Sequence, residues 1–289
     1  MNKKYAMLMV LAFALFQTQG LDAVHSDGKE QRLLTLPESI VVGGIAGAAE
    51  VTFPGQMLSY AMNRAIAHEP FRLLDSYKGF GVNLVGQMPI TAMQKLVATF
   101  GHQQMQSLQG RTATDTESLL ISSLAGVAGA CIDTPCSAIQ LYQQRFAQRK
   151  LSMLQAAREL KRSSFRGFTA NALLKEAPFV VGYQFLAHKG KEFIQPYVKK
   201  ESHATVAGGV GAGILTALIT QPGTVIRNKM QSDLEGVYAS TAQTVRTIFQ
   251  QEGMKGFFAG LSQRGARVAI AIPLYMVYTR FLEDKLCNK

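Results

Sequence analysis

Six apolar stretches, near residues 38–62, 80–104, 118–145, 170–195, 204–231 and 261–284, alternate with polar connections along the chain. Each exceeds the roughly 20 residues a helix needs to cross a bilayer, with length left over for tilt. The connections after the first, third and fifth stretches are long. Two of them, Leu151 to Arg162 and Thr241 to Gln251, carry the amphipathic spacing of short surface helices. The pattern also repeats. Pro54, Pro135 and Pro222 stand late in apolar, glycine-bearing stretches, 81 and 87 residues apart. Each is followed by an aromatic-x-Gly step: Tyr77-Lys78-Gly79, Phe165-Arg166-Gly167 and Phe258-Ala259-Gly260. A period of nearly a third of the chain means that one two-helix unit occurs three times. The pattern therefore predicts an all-α membrane protein: six transmembrane helices in three two-helix repeats, with the odd helices kinked at their prolines. The repeats fall at 37–110, 111–200 and 201–289, behind an N-terminal extension or signal-like segment over 1–36.

Small residues precede each proline and would let helix backbones approach closely: Gly43, Gly44 and Gly47, then Gly126 and Gly129, then Gly208, Gly209, Gly211 and Gly213. The first copy is out of step. Gly47 lies seven residues before Pro54, whereas Gly126 and Gly213 lie nine before Pro135 and Pro222. Two missing residues would turn a regular helix by about 200°, so a local irregularity is expected there.

Composition adjusts this picture. The chain is 47% hydrophobic and 17% charged, against about 25% charged in soluble domains. Its mean hydropathy is only +0.08, as suits a bundle with a polar interior. Net charge is +11. The connections 64–78, 145–166 and 227–256 hold 14 Lys or Arg, and 102–118 and 188–203 hold 5, which places the odd-helix exits on the inner side. Basic residues do not cluster with aromatics in a soluble module, which argues against nucleic acid as a partner. Cys131, Cys136 and Cys287 form no CxxC and have no histidine at metal-ligand spacing, so no metal, cofactor or disulfide framework is expected. No nucleophile–base constellation or Gly-rich phosphate loop points to an enzyme. Residues 1–20, a basic start followed by an apolar core over Tyr5 to Phe16 and then Gln17-Thr-Gln-Gly20, read as a secretory signal or as an uncleaved apolar extension.

The repeats resemble the mitochondrial carrier family from about Glu38 to Asp284. That family's motif runs Pro-x-acid-x-x-base-x-base, a gap, acid-Gly, four residues, then aromatic-base-Gly. The third repeat follows it best: Pro222, Arg227, Lys229 and Gln231, then Glu252-Gly253, then Phe258-Ala259-Gly260. The second keeps Pro135, Phe165-Arg166-Gly167 and the run Leu173 to Pro178, and the first keeps Pro54, Tyr77-Lys78-Gly79 and Pro89. The resemblance implies a barrel of six tilted helices with pseudo-threefold symmetry and a central site exposed alternately to each side. It also implies a monomer in the mitochondrial inner membrane, with the lipid bilayer, cardiolipin included, as its partner. The signal-like N-terminus together with the eroded motifs suggests a carrier-like effector of an intracellular bacterium acting in the host mitochondrion.

In the family, acid–base pairs between the odd helices close the inner face. Here those positions hold Gln56 and Ser59, Ser137 and Gln140, and Thr224 and Arg227, so only Arg227 keeps a charge. The amide braces persist as Asn63, Gln144 and Gln231. Hydrogen bonds are expected to replace the ion pairs at about 0.5–1.5 kcal/mol each. The outer positions fall on Thr99 and His102, on His188 and Lys191, and on Arg280 and Glu283 or Glu283 and Leu286, depending on whether Ile270 or Pro273 sets the register of the last helix. The charged residues within the apolar stretches are Glu50, Lys95, Asp133, Lys175, Glu176, Arg227 and Arg267. The resemblance carries substrate contacts onto Gln87, Lys95, Lys175, Glu176, Tyr183, Arg264 and Arg267. Lys175, Arg267 and Arg227 outweigh Glu176, so an anion is expected, first of all a nucleotide such as ATP or ADP exchanged by antiport. A carboxylate or other metabolite is the alternative, as is a carrier-fold receptor or scaffold that transports nothing.

Overall fold

A computed structural model describes residues 34–51, 53–233 and 236–287. The signal-like segment lies outside the described residues. Every regular element among them is helical. Helix α1 (Leu36–Glu50) begins with a reciprocal cap, in which Thr35 accepts from Glu38 N and Glu38 accepts from Thr35 N. Helix α2 spans Phe53–Ile66 and α3 spans Phe80–Gln109. Thr114 and Glu117 form the same capping box at the start of α4 (Asp115–Arg145), and Ser152 and Gln155 at the start of the short α5 (Met153–Leu160). What we term α6 is a single rod of alternating turns: π over Ala170–Glu176, α over Ala177–Val181, π over Gly182–Leu186 and α over Ala187–Ile194. Helix α7 (Glu201–Ser232), the surface helix α8 (Thr241–Gly256) and α9 (Leu261–Cys287) complete the order. Helices α5 and α8 occupy the two connections whose amphipathic spacing predicted them.

The main helices pack in a closed cycle. Helix α1 lies on α3, α3 on α4, α4 on α6, α6 on α7, α7 on α9, and α9 returns to α1 and α2. Within each copy of the repeat a glycine brings two backbones together. A Cβ would stand 2.9 Å from Ala92 Cα at Gly43, 2.5 Å from Ala177 Cα at Gly126 and 3.0 Å from Ala269 Cα at Gly213. Leu120, Leu124, Ile214, Leu218 and Ile219 turn outward and are exposed, while Gln56, Gln94, Asn171, Glu176 and Arg227 are buried. Apolar outside and polar inside is the reverse of a soluble bundle, and it suits a lipid surround.

Two expectations are corrected in detail. Among the described residues, only α4 and α7 are both long and apolar enough on their own to cross a membrane; α1 with α2 makes a third if the bent pair is one span. The others carry more polar residues, some buried, such as Gln94 and Glu176, and some exposed near the helix ends, such as Gln104 and Lys189. The proline kinks also differ between copies. Pro135 and Pro222 sit inside unbroken helices. In the first copy the helix stops at Val51 (φ −79°, ψ 75°), and Leu36–Glu50 meets Pro54–Ile66 at 71°. This break falls in the segment between Gly47 and Pro54 that is two residues short.

The aromatic-x-Gly steps share one conformation. Gly79, Gly167 and Gly260 have φ of 81°, 75° and 74° and open the second half of each repeat. Each also abuts the next copy, where a Cβ would stand 2.8 Å from Gln140 Cγ, 3.3 Å from Arg227 Cα and 3.0 Å from Met62 Cγ. Only glycine adopts this left-handed region without a penalty of about 1–2 kcal/mol. Gly260→Ala should therefore lower the melting temperature in detergent. Gly265→Ala, in helix α9 with nothing near its added methyl, should leave it unchanged or raise it slightly.

Candidate functional site

A cavity of about 60 Å³ lies among α2, α3, α4, α6, α7 and α9 and the end of α1. Its charged lining is Glu50, Asp133 and Glu176 with Lys175, Arg227, Arg264 and Arg267, joined by Gln87, Gln94 and Phe179. Local backbone form explains part of this convergence. The π turn over Ala170–Glu176 has a longer repeat than an α turn, so Asn171, Lys175 and Glu176 all reach partners on α3 and α4. Glu50 is the last residue of α1, directly before the break, and its carboxylate reaches the cavity beside Gln87 at 3.4 Å.

The charges differ in how far they are already committed. Asp133 Oδ2 accepts from Lys175 Nζ at 2.6 Å, Asn171 Nδ2 at 2.9 Å and Arg227 Nη1 at 3.1 Å. Ser137 Oγ donates to Asp133 Oδ1 at 2.9 Å and accepts from Arg227 Nη1 at 2.9 Å. Lys175 also meets Glu176 Oε1 at 2.5 Å. Gln94 donates to Glu176 Oε2 and accepts from Tyr183 Oη, both at 2.9 Å. Arg264 is buried and donates to the hydroxyls of Thr220 and Thr224 on α7. Arg267, by contrast, makes no hydrogen bond and no ion pair among the described residues. It stands within electrostatic reach of Glu50.

Gln87, Lys175, Glu176, Arg264 and Arg267 thus come together as the sequence suggested, while two other expected contacts lie elsewhere. Lys95 is outside the lining and pairs with Glu283 Oε1 at 2.6 Å, tying α3 to α9. Tyr183 is buried against Phe179 and Tyr275, with ring centroids 5.7 and 4.6 Å away. Both aromatics flank an apolar cluster that includes Val180, Val268, Ile272 and Met276.

At one end of the cavity, amides and hydroxyls hold α2, α4 and α7 together. Gln56 Oε1 accepts from Asn83 at 3.0 Å and from Gln140 at 3.3 Å, and its Nε2 donates to the carbonyls of Ser76 and Lys78. Asn63 donates to Gln144 at 2.7 Å and accepts from Asn228 at 2.9 Å. Gln231 donates to the Thr134 carbonyl at 3.0 Å. Ser59 lines the cavity, and Thr224 sits under Arg264. At the opposite end, Lys191 and Arg280 both meet Glu201, at 2.5 and 2.7 Å, and Ser39 donates to Thr99 at 2.9 Å.

Asn83, Gln94, Asn171 and Asn228 escaped the sequence reading, and Glu50 and Asp133, singled out there as charges within apolar stretches, were given no contact in the site. For Asp133 a usable signal existed. It lies four residues before Ser137, one turn back on the same helix face.

Residues 199–289 match the profile of the family described as mitochondrial carrier protein. The chain is 33% identical over 122 residues to the mitochondrial glycine transporter A of Danio rerio, covering 41% of this chain and 42% of that protein. It is 26% identical over 265 residues to the mitochondrial magnesium exporter 1 of Drosophila melanogaster, covering 78% and 86%. It is 27% identical over 223 residues to the mitochondrial glycine transporter of Mus musculus, covering 73% and 67%.

Proposed function

Because the chain is a divergent member of the mitochondrial carrier family, we propose that it moves a small zwitterionic metabolite, an amino acid of about glycine size, by alternating access through the central cavity. The observation that carries this reading is the charge balance of the lining: three carboxylates stand against four cations in a space of about 60 Å³. The Arg267 guanidinium is uncommitted and suits a carboxylate. The Glu50 and Asp133 carboxylates suit an ammonium. The space holds a molecule of a few heavy atoms, against the roughly 300–1,000 Å³ of pockets for drug-sized ligands.

The sequence alone favoured ATP or ADP because it set Lys175, Arg227 and Arg267 against Glu176 only. With Glu50 and Asp133 in the same cavity the positive excess nearly disappears, and a polyanion loses its advantage. Glycine transporters among the relatives support the amino-acid reading. The magnesium exporter lends less support, since among the described residues no group of three or more His, Cys, Asp or Glu is placed to hold a metal ion.

In this reading the apolar stretches form six spans of a monomer in the inner membrane, related by pseudo-threefold symmetry. Gln56, Ser59, Ser137, Gln140, Thr224 and Arg227 form the inner gate, braced by Asn63, Gln144 and Gln231, and Lys95 with Glu283 closes the outer end. The closed helix cycle and the inter-repeat hydrogen bonds support this arrangement. The further reading as an effector of an intracellular bacterium rests on residues 1–20 together with the eroded motifs.

Liposomes containing the purified protein and loaded with glycine should take up labelled glycine, and should not exchange labelled ADP. ADP exchange without glycine exchange would refute the reading.

A further inference from the structure

Arg227 has lost the acid that the family pattern places two residues after the preceding repeat's proline; that position is Ser137. Its counter-charge is nevertheless present. Asp133 stands four residues earlier, one turn along the same face of α4, with its Oδ2 3.1 Å from Arg227 Nη1. Ser137 still touches the same nitrogen at 2.9 Å. The ion pair has therefore moved one turn away from the inner face and into the cavity. There the same carboxylate oxygen also meets Lys175 Nζ at 2.6 Å and Asn171 Nδ2 at 2.9 Å. A carboxylate offers about four lone-pair sites over its two oxygens, so three donors on one oxygen compete with one another.

We propose that Asp133 couples substrate binding to the inner gate. It positions Arg227 and so holds α7 to α4. An incoming ammonium that takes Asp133 displaces the Arg227 guanidinium and loosens that contact. The holding role stands on the distances alone; the coupling rests on the amino-acid reading above. Coupling of this kind demands a positive charge on the substrate. A simple carboxylate would reach Arg267 without freeing Arg227.

The consequence is readable as a distance. In protein with its three native cysteines replaced by serine, spin labels at Gln148→Cys and Val237→Cys, both exposed residues, report the separation of the inner ends of α4 and α7. Adding Asp133→Asn should create a second, longer population without any substrate. Adding Ser137→Asp to that variant returns an anion beside Arg227 and should restore the single short distance. Saturating glycine should create the longer population in the parent and fail to do so in the Asp133→Asn, Ser137→Asp pair. Ser137→Asp alone removes nothing from the core and should blunt the response to glycine, because Arg227 keeps an anion when Asp133 is taken. An Asp133→Asn distribution identical to the parent would overturn the proposal, as would a full glycine response in Ser137→Asp. Glycine exchange by the unsubstituted protein is scored separately, so failure of the amino-acid reading is distinguishable from failure of the role given to Asp133.

Discussion

Arg267→Ala should reduce glycine exchange in proteoliposomes by roughly 100-fold while the protein melts close to its parent. The asymmetry follows from how little Arg267 does for the fold. It is half-buried at the cavity wall and makes no hydrogen bond or ion pair among the described residues. Its removal strands no carboxylate apart from weakening the field at Glu50. A bound substrate carboxylate, in contrast, loses a charge-assisted partner, and truncating one side of such a pair costs about 2–5 kcal/mol. At about 1.4 kcal/mol per tenfold, about 2.8 kcal/mol, in the lower part of that range, gives the expected loss. Arg267→Lys keeps the charge but not the planar fork and should recover part of the rate. Arg264 is the contrast within the same helix. It is buried on Thr220 and Thr224, so Arg264→Ala should lower both transport and melting temperature. Equal destabilisation by Arg264→Ala and Arg267→Ala would contradict the separation of roles.

The largest effect on stability is expected at Lys175. Its ammonium lies 2.6 Å from Asp133 and 2.5 Å from Glu176, and all three side chains are mostly buried. A buried pair of this kind adds little net stability over an apolar replacement. Removing one partner alone costs about 3–5 kcal/mol, because the other charge remains without compensation. Lys175→Met leaves two carboxylates in that condition, with Arg227 on Asp133 as the one remaining ion pair of the two and neutral donors beside it. The melting temperature should fall on the order of 10 °C. Adding Glu176→Gln removes one stranded charge and should return part of the loss, since the amide oxygen it introduces can still accept from Gln94. Absence of any such recovery would mean that Lys175 acts through packing rather than charge.

The helices and the steps between them were legible in the sequence because their signals recur three times. A single proline or aromatic-x-Gly step says little, but Gly79, Gly167 and Gly260 recur in register and take the same left-handed conformation. Local amphipathic spacing also located α5 and α8. The site was legible only where the residues follow the repeat, as at Lys175, Glu176, Arg264 and Arg267. Asp133 was missed as the partner of Arg227 because the motif looks two residues beyond the proline, whereas helix geometry makes positions 133 and 137 equivalent on one face. The inner gate looked stripped of its acids for the same reason. Glu50 enters the cavity where the chain breaks before the first proline, and that break has no counterpart in the other repeats. Lys95 and Glu283, 188 positions apart, meet across two helices, and nothing in either local sequence announces the pairing. These misses matter for substrate class. Each overlooked acid subtracts from the positive charge that had pointed to a nucleotide.

Competition by fragments of the substrate tests the charge-balanced site most directly. Exchange of labelled glycine is measured against unlabelled glycine, glycine methyl ester, acetate, methylamine and ADP at equal concentration. The account predicts that only unlabelled glycine, which carries both charges on one small frame, competes strongly. Inhibition by acetate or ADP as strong as that by glycine would contradict it.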